Sequence, residues 1–152
     1  MSVRPFAPGD VDLLAPELAR LPLLARYGRD AKRIGDDLKA ALVRGEGLLA
    51  WEEEGAARGL AWFLRQGTFG LGGYLRLIAV VGGAQRAGAG AALLGAFEAE
   101  VARSSRHAFL LVSDFNEAAQ RFYVRHGYTR VGALPGLVLE DVAELVYWKR
   151  LR

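Results

Sequence analysis

The stretch Val80-Val81-Gly82-Gly83-Ala84-Gln85-Arg86-Ala87-Gly88-Ala89-Gly90 is an apolar strand end that runs through a glycine-rich loop into the start of a helix. Small residues let a ligand approach the backbone closely. The free N–H groups of a helix's first turn, which carry partial positive charge, favour an anion. Arg86 adds a cation. On spacing alone the loop reads equally as an anion site or as a tightly packed βα turn. Two phosphate-binding patterns are excluded. A P-loop needs Lys-Ser/Thr after its last glycine, but Ala89-Gly90 follows Gly88. The dinucleotide fingerprint fails because Leu93 stands where its third glycine belongs, and Asp114 meets its acidic position only loosely.

Working outward, residues 74–81 read as a strand and residues 91–104 as a helix with Leu93, Leu94, Phe97 and Val101 on one side. Residues 108–113 are an apolar run, as expected of a buried strand. This order predicts a right-handed βαβ crossover joining parallel strands inside an otherwise antiparallel sheet. Asn116 stands before a helix over residues 117–126 that Gly127 stops, and strands at 128–133 and 144–149 close the chain. Toward the N-terminus, a strand at 2–6 precedes a helix capped by Asp10, with Leu13, Leu14 and Leu18, which Pro16 and Pro22 must break. Asp30 caps a second helix carrying Ile34, Leu38 and Leu42, stopped near Gly45. Strands at 47–53 and 58–65 form an antiparallel hairpin around Glu54-Gly55, and residues 67–73 form a glycine-rich connection into the next strand.

With phosphate loops of other kinds excluded, the segment Gln85-Arg86-Ala87-Gly88-Ala89-Gly90 resembles the Gln/Arg-x-x-Gly-x-Gly/Ala loop of the GCN5-related N-acetyltransferases, the GNAT superfamily. Val80 stands where the family's preceding strand usually has Val. Downstream, Asn116, Ala119, Phe122, Tyr123, Gly127 and Tyr128 match a second family motif in register. The opening residues 3–10 and closing residues 145–151 also look like the family's first and last strands, so the resemblance covers almost the whole chain and is weakest over residues 18–44. It departs in one respect. Many members carry Gly at the Arg86 position and a basic residue at the Ala87 position, which shifts how the cation meets a pyrophosphate without removing the backbone cradle.

The resemblance implies an α+β GNAT fold, a mostly antiparallel twisted sheet with one parallel crossover and helices on both faces, forming one domain over residues 1–152. It further implies an acetyl-CoA-dependent N-acetyltransferase acting on a primary amine of a small molecule or of a peptide or protein N-terminus. The alternative is a CoA-binding sensor or interaction module without catalysis. By the same resemblance, Gln85, Arg86, Ala87, Gly88, Ala89 and Gly90 hold the pyrophosphate. Main-chain groups of Ile78, Ala79 and Val80 meet the pantetheine and thioester. Asn116 contacts the pantetheine arm while it caps its helix, Ala119 and Phe122 line the channel, and Tyr123 is the general acid to the departing sulfur. Tyr123 also reads as an aromatic on a buried helix face. Some relatives use a Glu on the strand at 74–81 as base, but none stands there. Asp114, a water chain or an already neutral amine are the alternatives. The family's acceptor sites are built from variable segments, here 10–44, 67–73 and 134–142, and homodimerisation is frequent in it.

Composition narrows the rest. The 152 residues carry Lys+Arg 20 against Asp+Glu 17, a net charge of +3, 52% hydrophobic residues and no cysteine. That length and apolar content support a core without disulfide or metal staples. Missing cysteine excludes thiolate metal sites and a cysteine nucleophile, leaving direct transfer to the amine as the simplest route. His107 and His126 are single and far apart, so no metal is expected. Residues 55–97 contain Arg58, Arg65, Arg76 and Arg86 and no acid, so the positive excess gathers around the glycine-rich loop. No helix dense in Lys/Arg suggests nucleic acid, and no apolar segment suggests a membrane span or leader, so a cytoplasmic protein is expected. Glu52-Glu53-Glu54 reads as a solvated hairpin tip, and Trp51, Trp62 and Trp148 as core or cleft wall.

Overall fold

The computed structural model describes every residue except Ala87, and of Arg86 only the backbone. Its elements run β1 (Ser2–Pro5), α1 (Pro8–Ala19), α2 (Pro22–Arg26), α3 (Ala31–Arg44), β2 (Gly47–Glu53), β3 (Ala56–Thr68) and β4 (Gly72–Val80). A 3₁₀ turn (Gly82–Arg86) then leads to α4 (Ala89–Val101), β5 (His107–Ser113), α5 (Glu117–Arg125), β6 (Thr129–Pro135) and β7 (Ala143–Arg150). The strands form a seven-stranded sheet in the order β1-β2-β3-β4-β5-β7-β6. All neighbours are antiparallel except β4 and β5, which the α4 crossover joins in parallel. The mixed α+β layout expected from the sequence is therefore present.

The sheet is a middle layer, and its pleat explains why β2 and β3 are apolar on both faces. Successive side chains point to opposite faces of a strand. Leu48, Ala50, Leu60 and Trp62 pack with Val11, Leu14 and Leu18 of α1 and Ile34 and Leu38 of α3. Their neighbours Trp51, Ala61 and Phe63 pack on the other face with Leu93, Leu94, Phe97 and Val101 of α4. In β5 Ala108, Leu110, Val112 and Ser113 are buried while Phe109 and Leu111 are half-buried, so the strand expected to be buried is fully covered on one face only. That layer of α1 and α3 packs over the β2–β3 side and leaves Phe109 and Leu111 half-buried.

Local chemistry departs from the sequence reading at four places. Pro16 lies inside α1 without ending it. Pro16 and Asp12 are both exposed, so the Asp12 carbonyl that loses its partner is free to meet water. The cap of α1 is Ala7 rather than Asp10, and the Asp10 carboxylate, one turn in, accepts the Ala7 N–H at 2.7 Å. Leu13 is exposed, whereas Val11, Leu14, Ala15 and Leu18 face the core. The connection expected over 67–73 shrinks to Phe69, Gly70 and Leu71, because β3 runs on to Thr68 and pairs there with Gly72. Elsewhere the caps are as read: Asp30 accepts the Arg33 N–H at 2.8 Å, and Gly45 ends α3 at φ 72. No helix among the described residues is long and apolar enough to cross a membrane.

One feature of the sheet prepares the site. The parallel pairing of β4 with β5 is confined to Gly73↔Ala108, Tyr74↔Phe109 and Leu75↔Leu110. Beyond it β4 stays with β3 as far as Val80, while β5 stays with β7 as far as Ser113. The two strands part, and a cleft opens between their C-terminal ends.

Candidate active site

This cleft has a volume of about 230 Å³. One wall is β4 with Leu75, Leu77 and Ile78; the other is β5 with Leu111, Val112 and Ser113. Asn116, Ala119 and Tyr123 enter from the start and middle of α5, Leu23, Leu24 and Tyr27 from α2 and its C-cap, Val138 from the β6–β7 connection, and Glu144 from β7. In an α/β unit the crevice beyond the carboxyl ends of parallel strands is the usual ligand site.

Each side chain is set by local sequence. Asn116 caps α5, its Oδ1 accepting the Ala119 N–H at 3.2 Å, and Gln120 Nε2 donates to the Asp114 carbonyl at 3.0 Å, fixing the entry angle of the helix. That angle turns Tyr123 inward between Phe122, 5.2 Å away, and Tyr128, 5.7 Å away, both in edge-on contact. Tyr123 is buried, and burial pushes its phenol above the usual range, so it stays protonated at neutral pH. Its hydroxyl forms no hydrogen bond with the described residues. Tyr123 also lines the cleft, so the phenol stands at its wall without a partner among the described residues.

The glycine-rich loop lies beyond the end of β4. Gln85 Nε2 donates to the Val80 carbonyl at 3.0 Å, so its side chain ties the loop to the strand. Gly88 takes φ 76 as the residue before α4, and no side chain caps the helix. The N–H groups of its first turn are therefore left without a side-chain partner. A Cβ on Gly90 would lie 3.6 Å from Phe122 Cζ, so the start of α4 abuts the ring that precedes Tyr123.

The residues singled out in the sequence thus fall into two groups. Ile78, Asn116, Ala119 and Tyr123 meet at the cleft. Ala79 and Val80 are buried at the end of β4, Gln85, Gly88, Ala89 and Gly90 form the loop and helix start, and Phe122 bridges the two groups. The Arg86 side chain and Ala87 lie outside the described residues. Asp114 does not line the cleft; it is exposed, and its carboxylate accepts the Ala143 N–H at 3.0 Å, tying the residue after β5 to the start of β7. Among the cleft residues not singled out in the sequence, Tyr27, Ser113 and Glu144 form a polar cluster. The Tyr27 hydroxyl contacts both Ser113 Oγ and the Glu144 carboxylate. An acid at the head of the apolar run Glu144-Leu145-Val146-Tyr147 was the available signal. The histidines have structural partners, since Trp148 Nε1 donates to His107 Nδ1 at 3.0 Å and His126 follows the last turn of α5. No group of three or more His, Cys, Asp or Glu among the described residues could hold a metal. Glu52 and Glu53 are not merely solvated: they accept from Arg4 and from Trp51 Nε1.

The model of the acetyltransferase (GNAT) family matches residues 16–128. The chain belongs to the GNAT family of acetyltransferases. It is thus an acyltransferase, and its α+β sheet with one parallel pair is the GNAT fold. Among solved structures it resembles a GNAT-family protein from Desulfovibrio desulfuricans (TM-score 0.85, 21% identity, covering 99% of each chain). It also resembles an aminoglycoside 6'-N-acetyltransferase complexed with coenzyme A (TM-score 0.82, 19% identity, 100% of this chain and 98% of that one). A third is a ribosomal-protein-alanine N-acetyltransferase from Brucella melitensis (TM-score 0.77, 18% identity, 99% of each). No curated protein matches. The last two relatives are named for unlike acceptors, so the GNAT fold leaves the acceptor open.

Proposed function

We propose that this GNAT protein transfers the acetyl group of acetyl-CoA directly to a primary amine, on a small molecule or a peptide or protein N-terminus. The observation that carries this reading is the parting of β4 and β5, with Tyr123 lining the gap and a helix start without a side-chain cap beyond the strand end. The residues present fit the co-substrate. Gly83 and Gly88 have open space where a Cβ would stand, Gly88 takes a left-handed turn, and α4 offers free N–H groups to a pyrophosphate. The loop from Gln85 through Arg86, Ala87, Gly88 and Ala89 to Gly90 would form that cradle. A complex of a structural relative with coenzyme A supports the assignment.

When bound, acetyl-CoA supplies an activated acetyl group; the chain supplies position, hydrogen bonds and protons. Main-chain groups of Ile78, Ala79 and Val80 lack a strand partner on the β5 side and would hold the pantetheine and thioester there, one N–H polarising the carbonyl. Asn116, Ala119 and Phe122 shape the passage from α5. Tyr123 donates its proton toward the sulfur, a role open to a phenol that is un-ionised at neutral pH. With no cysteine in the chain, no thiol carries an acetyl-enzyme, and direct attack by the amine is the simplest route.

The test is release of free thiol from acetyl-CoA in the presence of primary alkylamines and of short peptides with free N-termini. Turnover on at least one class is expected. CoA at 100 times its dissociation constant should also stabilise the fold by about 2.7 kcal/mol. Stabilisation by CoA with no turnover on any amine would sink the transferase reading and leave a binding module.

A further inference from the structure

The amine that attacks a thioester must be neutral, whereas alkyl ammonium groups are charged at neutral pH, so a proton has to leave before the C–N bond forms. The strand that carries the base in some relatives has no carboxylate here, and the Asp114 carboxylate accepts the Ala143 N–H at the start of β7, away from the cleft. Among the described residues lining the cleft, Glu144 is the only carboxylate.

Its setting is unlike that of an ordinary surface acid. Glu144 stands directly across from Ser113 in the β5–β7 ladder, so both side chains lie on one face of the sheet. It is 7% exposed and has no ion-pair partner among the described residues. Oε2 accepts the Tyr27 hydroxyl. Oε1 has no hydrogen bond from the described residues, and Glu144 lines the cleft, which leaves that oxygen for an incoming donor. A buried carboxylate without a cation is costly to keep, and it invites one.

The hydrogen-bond chain has a direction. A carboxylate only accepts, so the single Tyr27 proton goes to Glu144, and Tyr27 Oη in turn accepts from Ser113 Oγ. Each hydroxyl points its proton toward Glu144. The other polar groups around the carboxylate leave that task to it. Arg76 and Tyr74 come from β4; among the described residues Arg76 is the one cation lining the cleft, and its guanidinium lies over the Trp62 ring, 4.4 Å from the centroid. Arg26 of α2 packs over Phe115 at 3.7 Å.

We propose that Glu144 is the proton acceptor for the incoming ammonium group, with Tyr27 and Ser113 as the residues that hold and relay to it. This rests on the transferase reading above. The ammonium N–H bond breaks and its proton passes to the Glu144 carboxylate, directly or by successive shifts through Ser113 Oγ and Tyr27 Oη. The freed nitrogen pair forms the C–N bond, the C–S bond breaks, and the sulfur takes a proton from Tyr123. Tyr123 regains a proton from the amide nitrogen and Glu144 releases its own to water, so one proton leaves per turnover. The acceptor class is then a primary ammonium on an apolar stem, since Leu23, Leu24 and Val138 rim the approach.

The experiment is the pH dependence of kcat/KM for the best amine of the panel, in wild type, Glu144→Gln and Tyr27→Phe. Without its acceptor the enzyme can use only amine that is already neutral. Glu144→Gln is expected to lose about 100-fold at pH 7, and the deficit should close as pH approaches the amine's own pKa. Tyr27→Phe should show a smaller loss that closes in the same way, which covers the case of a Glu144→Gln protein that does not fold. CoA-induced stabilisation should be unchanged in both. A deficit of the same size at every pH, or no deficit, would overturn the assignment while leaving the transferase reading intact; wild type without turnover on any amine would bring down both.

Discussion

Arg4 grips the Asp10 carboxylate with two hydrogen bonds, 2.8 Å from Nη1 and 3.0 Å from Nη2, and so ties the first strand to the first turn of α1. The Arg4 hydrogen bond holds the Asp10 carboxyl below its usual range; burial opposes this and the Ala7 N–H reinforces it. A carboxyl whose folded pKa is depressed contributes stability above its unfolded value, near 3.9, and loses that contribution as pH falls through the folded value. Asp10→Asn should therefore cost about 2 kcal/mol at pH 7. Thermal melts between pH 7 and pH 2.5 should show the gap between wild type and variant closing only below about pH 4. A gap that is constant with pH would contradict the pairing.

Removing the Tyr123 hydroxyl takes away a group that is bonded to none of the described residues, on a side chain that lines the gap between the strands. Tyr123→Phe is expected to lower kcat by about 100-fold, to leave the KM for acetyl-CoA nearly unchanged, and to keep the melting temperature of the wild type. Steady-state kinetics with thiol detection, alongside a melt, separate this outcome from a purely structural role, in which stability would fall and kcat would not.

Gly88 adopts φ 76, where an L side chain is strained by about 1–2 kcal/mol even with open space around its Cβ. Gly88→Ala should cost about that much in stability. It should also weaken CoA binding, since relief of the strain turns the first N–H groups of α4 away from their common direction. Calorimetric titration with CoA checks the second effect; unchanged affinity would remove the helix start from the cofactor cradle.

At Gly73 the constraint is space. A Cβ there would fall 2.4 Å from Val101 Cγ2, inside the packed junction of β4 with the end of α4. Gly73→Ala is expected to destabilise by about 1–3 kcal/mol, and combining it with Val101→Ala should recover part of the loss. Denaturant melts of the two single variants and the double variant measure that coupling.

The helix ends were legible where their signals are local. Asn116 and Asp30 cap their helices with their own side chains, and Gly45 ends α3 by its φ. The failures arise where a neighbour decides. Pro16 is tolerated because its turn of α1 faces water, and Asp10 serves the residue three before it instead of starting the helix. The cleft shows the same divide. Asn116, Ala119 and Tyr123 could be marked from one motif on one helix, whereas Glu144, Ser113 and Tyr27 converge from three separate elements. Glu144 reaches Ser113 only because β7 inserts between β5 and β6, and sheet order is not written in any local pattern.

Past Leu75, the flank that β4 turns toward β5 has no strand to pair its N–H and C=O groups. An extended ligand laid along it would be read as though it were one more strand, and main chain is the same whatever residue bears it. Leu77 or Ile78 could then be exchanged for other apolar residues with little change in grip, because the spacing of the donors and acceptors survives such exchanges. Mutational freedom should be wide along that strand and narrow at the glycines and the α5 cap that set the width of the gap, so a saturation scan of residues 72–90 would yield alternating tolerance and intolerance governed by geometry rather than by polarity.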